Sequence, residues 1–234
     1  MWLTTSSIGR KVIMSVTGVA LVLFLTFHAC MNVVAVISTK GYNAICEFLG
    51  ANWYAVAATA VLAALIVLHF VYAILLTLQN RKARGASRYA VTHKPEKVEW
   101  ASQNMLVLGI IVVLGLLLHL FNFWFNMMYA ELANEGFPFV DVQSATDGVG
   151  MIAYTFHGAG VCSYIYIVLY LIWLCALWFH LSHGIWSGLQ TLGLNNKVWF
   201  GRLQCVSTVW ATLVILCFVF VVVWFALGLT PICG

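Results

Sequence analysis

Charge is what this sequence has least of. Asp, Glu, Lys and Arg together make up 8% of its 234 residues, against about 25% in an ordinary soluble domain. So few charges cannot solvate a globular surface, and 63% hydrophobic residues make lipid the natural solvent. Proline is almost absent, with three residues, none inside a long apolar run, which removes the commonest cause of helix breaks. The seven cysteines form no C-x-x-C pair, and there is no C-x-x-C-H for covalent haem attachment. Most lie inside apolar runs and read as small core or lipid-facing residues. Cys46 and Cys233 fall on the same predicted side, where a disulfide is conceivable. The opening MWLTTSSIGRK lacks a cleavage site and leads into a run too long for a signal peptide. A net charge of +4 is no nucleic-acid signal, because the basic residues sit between apolar runs.

What is present is length in apolar runs. A spanning helix needs about 20 mostly apolar residues, and five stretches qualify: 12–37, 53–79, 104–129, 151–188 and 204–229. The fourth is long enough to project beyond the hydrocarbon. The expected fold is an all-α integral membrane bundle of five transmembrane helices, one domain over residues 1–234.

The loops give direction. Arg10 and Lys11 precede the first run. Arg81, Lys82, Arg84, Arg88, Lys94 and Lys97 follow the second, and Lys197 and Arg202 follow the fourth. Of the eleven Lys and Arg, Lys40 alone lies on the other side. Glu47, Glu131, Glu135, Asp141 and Asp147 favour that side too. The positive-inside rule then predicts a cytoplasmic N-terminus and an outer, periplasmic C-terminus. The basic 81–97 loop reads at least as a topology signal, and in a sharper reading as a dock for a soluble partner. Residues 130–150 read as a surface loop or short interfacial helix.

Seven histidines are present. His28, His69, His119, His157, His180 and His183 lie in the runs, and His93 lies in the basic loop. Ionisable groups at membrane depth are costly and usually functional. At about 1.5 Å rise per residue, His28 is roughly 24 Å and His119 roughly 22 Å from the cytoplasmic helix ends. The second and fourth helices run the other way, which puts His69 at about 15 Å and His180 at about 12 Å. Two levels with two imidazoles each suit two six-coordinate b haems stacked through the bilayer. Zinc fits poorly, since neither level offers a carboxylate or thiolate. Closed, bis-imidazole iron favours electron transfer over oxygen chemistry.

Small residues agree with clearance for a macrocycle. Gly18 precedes His28 by ten positions and Gly109 precedes His119 by ten, so both fall near the inner level. Gly184 follows His180 by four, on the same helix face. Ala57, Ala58 and Ala60, with Gly158, Ala159 and Gly160, fall at the outer level. The plainer reading of any one of these is close helix packing. His183 competes with His180 as the inner ligand. His157, near the outer end, reads as a hydrogen-bonding residue toward haem, quinone or backbone.

With these residues in view, the chain resembles the di-haem cytochrome b membrane subunit of succinate dehydrogenases and fumarate reductases, in the type with a single five-helix anchor. The motifs are SSIGRKVIMSVTG with FLTFHACMN around His28, LIVLHFVY around His69, GLLLHLFNF around His119, and WFHLSHGIWSG around His180. The resemblance covers nearly the whole chain. It implies that the first span pairs with the third and the second with the fourth. It also implies that the inner ligand is the histidine four positions before Gly184, which is His180. It implies an iron–sulfur subunit as partner and, through it, a flavoprotein that interconverts succinate and fumarate. Menaquinone would be the membrane substrate and the bacterial inner membrane the location, in a complex that could be dimeric. An outer-side Glu serves some relatives as quinone proton acceptor. Glu47 is the nearest counterpart here, with Asn43 and Trp53 beside it. Some relatives carry a Glu two residues before the inner ligand of the fourth span, where this chain has Trp178. The competing readings are the anchor of another quinone-linked oxidoreductase and a proton-coupled transporter. The latter calls for helices broken near the midplane.

Overall fold

The computed structural model describes residues 2–50, 52–84, 100–133, 144, 146–194 and 196–233. Arg88, His93, Lys94 and Lys97 of the basic loop, and Glu135 and Asp141, lie outside them. Five helices are long and apolar enough to cross a membrane: Ser7–Ile37, Trp53–Ala83, Trp100–Leu132, Val161–Thr191 and Phe200–Ala226. In hydrocarbon a backbone polar group finds no water, so a spanning segment must close its hydrogen bonds within itself, as a helix does. Among the described residues there is no strand. The C-terminal tail does pair with the end of the first span, where Cys233 N donates to Ile37 O at 2.8 Å and Ile232 N to Val36 O at 3.0 Å.

The first span starts at Ser7 rather than 12 because Ser6 caps it, its Oγ accepting from Gly9 N at 2.9 Å. Arg10 fits inside the helix because its Nε donates to the Thr4 carbonyl at 2.9 Å, keeping the charge at the helix end. Ser38 stops this helix and caps the next, Thr39–Phe48, its Oγ accepting from Gly41 N at 3.2 Å. That short helix carries Asn43, which ties it to the segment before the fourth span. Asn43 Nδ2 donates to Asp147 Oδ1 at 3.0 Å, and its Oδ1 accepts from Val149 N at 3.2 Å. Cys46 and Cys233 are both free thiols, so the conceivable disulfide is not formed. Cys233 is held through its backbone at the end of the first span, while Cys46 lies against Gly148.

Successive spans run up and down. Gly50 before the second span meets Glu131 at the end of the third, and His157 before the fourth meets Gly228 after the fifth. Arg10, Lys11, Arg81, Lys82, Lys197 and Arg202 therefore gather at one end of the bundle, and Lys40, Glu47, Glu131 and Asp147 at the other. The fourth span is the hub and packs on the first, third and fifth. Small or closely fitted residues make these contacts, including Ala35 and Ala211, both fully buried, with Ile215, Val222 and Phe225 around them. Such close fit drives helix association in lipid. Leu23, Val61, Leu114, Val168 and Leu213 face outward.

Two spans depart from plain α-helix near the acidic end. The third makes a π-helical turn over Leu120–Phe125. Asn126 Nδ2 bridges it, donating to Phe121 O at 2.9 Å and Asn122 O at 3.2 Å. The fourth stretch, read from the sequence as one helix over 151–188, is interrupted. Helix Gly148–Ala153 runs into a π turn at Tyr154–Gly158, and Gly160 then turns the chain at φ 61° before Val161 starts the long span. Ser163 mends the break. Its Oγ accepts from Ala159 N at 3.0 Å and donates to Tyr154 O at 3.4 Å. Single π turns are frequent beside functional sites, and both of these lie next to the His119 level.

Candidate cofactor site

Four span histidines meet in two pairs. The His28 and His119 rings have centroids 5.8 Å apart, and those of His69 and His180 are 6.3 Å apart. A metal held between two imidazoles, with bonds of about 2 Å, sets ring centroids about 6 Å apart. The two pairs occupy different levels. Thr17 touches His69, and His28 is eleven residues further along the same helix, about 16 Å.

The helices that carry each pair do not pack on one another. Among the described residues, the first span packs on the second, fourth and fifth, and the third packs mainly on the fourth. Neither the first and third spans nor the second and fourth share a packed seam. The imidazoles reach across. A histidine that fills a core normally does so where helices touch, so each pair marks a gap between helices that two imidazoles span.

The walls of the two gaps differ. At the His28–His119 level, Phe24 stacks on His28 at 5.5 Å and Phe218 approaches it at 5.8 Å. Phe123, Trp173 and Tyr170 surround His119 at 5.2, 5.7 and 6.3 Å. Trp173 is fixed by donation from Nε1 to the Val112 carbonyl at 3.0 Å, and it lies where a side chain at Gly115 would have to go. Tyr170 is buried and its hydroxyl accepts from Asn122 Nδ2 at 3.4 Å. Asn32, one turn beyond His28, has Nδ2 at 3.4 Å from both ring nitrogens and donates to the His28 carbonyl at 2.8 Å. At the His69–His180 level, Thr17 Oγ1 lies 3.1 Å from His69 Nδ1. His180 Nδ1 is buried with no hydrogen-bond partner, which in a closed core costs about 1–3 kcal/mol.

The glycines divide. A Cβ on Gly109 or Gly184 would meet nothing within 4 Å, whereas one on Gly18 would come 3.2 Å from His69 Cε1. Gly109 and Gly184 leave open space, and the space at Gly18 is taken by the His69 ring. Gly158 and Gly160 serve the helix break, and Ala57, Ala58 and Ala60 are exposed. His183 makes its ring contact with Trp186 at 4.8 Å. His157 turns its Nδ1 to the Ala226 carbonyl at 3.4 Å, the backbone partner among its possible ones.

The donor chemistry suits a macrocycle. No three His, Cys, Asp or Glu side chains converge on one point among the described residues. Each pair offers two ligands only, which is what a metal already held by four equatorial nitrogens needs. Glu47 is exposed at the acidic end, in the last turn of its short helix, and Trp53 is 82% exposed. Asn43 has both ends of its amide engaged by Asp147 and Val149. Thr17, Asn32, Gly115, Tyr170 and Trp173 belong to the site although the sequence did not single them out. Asn32 alone carried a signal, being four positions after His28 on one helix face. No protein-family model, curated protein or solved structure matches the chain.

Proposed function

We propose that this chain is a di-haem cytochrome b, the membrane-anchor and electron-transfer subunit of a quinone-linked oxidoreductase of the succinate dehydrogenase and fumarate reductase type. The observation that carries the reading is the meeting of four span histidines, two by two, across helices that do not pack together. His28 with His119 would hold one haem, and His69 with His180 the other. When bound, such a group supplies one-electron transfer at an iron closed to substrate by two axial imidazoles. The protein's share is ligation, spacing and exclusion of water. Phe24, Phe218, Trp173 and Tyr170 wall the first pair with aromatic surface, and Gly109 and Gly184 leave room for a flat ligand.

The basic end is assigned to the cytoplasm by the positive-inside rule, with the N-terminus there and the C-terminus on the periplasmic side of a bacterial inner membrane. In this orientation the 81–97 loop faces the iron–sulfur subunit, which in turn carries the flavoprotein. Menaquinol would react near the His28–His119 level. Glu47 is its proton acceptor, exposed to water at the acidic end so that a proton taken there can leave. Two residues before His180, where some relatives carry a Glu, stands Trp178, donating Nε1 to Thr212 Oγ1 at 2.9 Å, so no carboxylate at that position carries protons between the levels. Transport is disfavoured by where the helix break falls. Gly160 precedes a 31-residue helix that crosses unbroken, so the break lies at one end of the bundle and not at its midplane.

The test is a reduced-minus-oxidised absorption spectrum of the purified chain, with a pyridine haemochrome assay for haem per polypeptide. Two b haems are expected. His28→Ala and His119→Ala should abolish one of them, and His69→Ala and His180→Ala the other. A folded, colourless protein that takes up no added haem would sink the reading.

A further inference from the structure

Thr17 is buried, at 4% exposure, on the first span, and its hydroxyl sits among three hydrogen-bonding atoms. The carbonyls of Ile13 and Met14 lie 2.9 and 3.0 Å from Oγ1, and His69 Nδ1 lies 3.1 Å from it. A threonine hydroxyl has one proton to give and lone pairs to accept with. The two carbonyls can only accept; with the hydroxyl proton directed to one of them, Oγ1 is left as an acceptor toward the imidazole. A neutral imidazole carries one N–H. With that proton on Nδ1, Nε2 is the nitrogen with a free lone pair. The next residue, Gly18, lets the ring lie close, with 3.2 Å between His69 Cε1 and the place a Cβ would take. His180 has no such partner, its Nδ1 being buried and unbonded. The inner pair is therefore oriented from one side.

We propose that Thr17 is a positioning residue that holds His69 in its Nδ1–H tautomer and turns Nε2 toward a metal in the gap between the second and fourth spans. This rests on the haem reading of the pair, and it assigns a role in ligand orientation to a residue outside the four ligands. Partners of this kind fix the ring and raise ligand basicity, and their loss typically lowers metal affinity about 10–100-fold.

The experiment compares wild type, Thr17→Val and Thr17→Ser in the full chain. In haem-free protein carrying 15N-histidine, the His69 shifts (assigned by their loss in His69→Gln) should report Nδ1–H in wild type and Thr17→Ser, and a mixed tautomer in Thr17→Val. In haem-loaded protein, Thr17→Val should release one of the two haems at least about tenfold more readily. The remaining bound fraction should favour reduction by about fivefold, or roughly 40 mV at 59 mV per tenfold, and Thr17→Ser should restore both. Unchanged His69 shifts and an unchanged potential in Thr17→Val would overturn the proposal while leaving the haem reading intact. If wild type binds no haem, the haem reading fails, and the 15N shifts alone still decide whether Thr17 sets the tautomer.

Discussion

Gly18 separates helix packing from ligand seating, and three substitutions measure the difference. Alanine is better than glycine in a helix interior by about 1 kcal/mol. At Gly184 nothing lies within 4 Å of an added Cβ, so Gly184→Ala should show that full gain. At Gly18 the Cβ meets His69 Cε1 at 3.2 Å, a few tenths of an ångström inside ordinary contact. The ring cannot slide away freely, because its Nδ1 is held by Thr17 at 3.1 Å. Overpacking of this kind costs about 1–3 kcal/mol, so Gly18→Ala should fall between neutral and about 2 kcal/mol less stable. Gly18→Val adds two more methyl groups against the ring and loses part of the helix gain, so it should lie at the upper end, about 3 kcal/mol. At about 2–4 °C per kcal/mol for a chain of this size, Gly184→Ala raises the melting temperature by a few degrees and Gly18→Val lowers it by about 6–12 °C. The assay is thermal unfolding of the purified chain in detergent, followed by circular dichroism and by haem absorbance. Gly18→Val should also lose the haem assigned to His69 and His180 while the other stays. If Gly18→Val matches wild type in both melting temperature and haem content, the glycine does not seat the ligand ring and the argument fails.

Three further outcomes follow from other parts of the bundle. Gly160 holds φ 61° and ψ −128°, a region that side chains rarely enter, so Gly160→Ala should cost about 1–3 kcal/mol, measured as a lower melting temperature. Burial and the neighbouring Asp147 push the Cys46 thiol up to about 11. Its thiolate fraction at pH 8 is then about one in a thousand, against roughly a quarter for a free cysteine near 8.5. Alkylation of Cys46 should therefore rise about tenfold per pH unit toward 11, and rapid labelling at pH 8 would contradict its packing against Tyr42 and Gly148. The second span packs chiefly on the first, and none of its most apolar window is buried. Since a ligand that binds only the folded form stabilises it, haem depletion should raise amide exchange across 53–83 far more than across 161–191, and equal changes would show that no ligand ties the second span.

The parts legible in the sequence were those set by one-dimensional geometry. Five apolar runs and a fixed rise per residue were enough to give five spans. The same rise put His28 level with His119 and His69 level with His180, the pairs whose rings meet. What stayed hidden depends on contacts between distant residues or on local repair. Thr17 touches a histidine 52 positions away, and nothing in SVTG distinguishes a threonine bonded to its own backbone from one that also holds a ligand. Gly115 resembles any small residue in a span until Trp173 is seen lying over it. The break at Gly160 left a trace in HGAG, yet an apolar run long enough to project past the bilayer reads as one helix. There the Ala159 amide donates to the Tyr154 carbonyl at 2.9 Å, and Ser163 adds its hydroxyl to both. Depth thus says which histidines can meet, while the gap between their helices, which needs three dimensions to see, distinguishes a pair that packs from a pair that waits for a ligand. The second and fourth spans contribute His69 and His180 without packing on each other, and it is on that gap, more than on the ring distance, that the proposed haem rests.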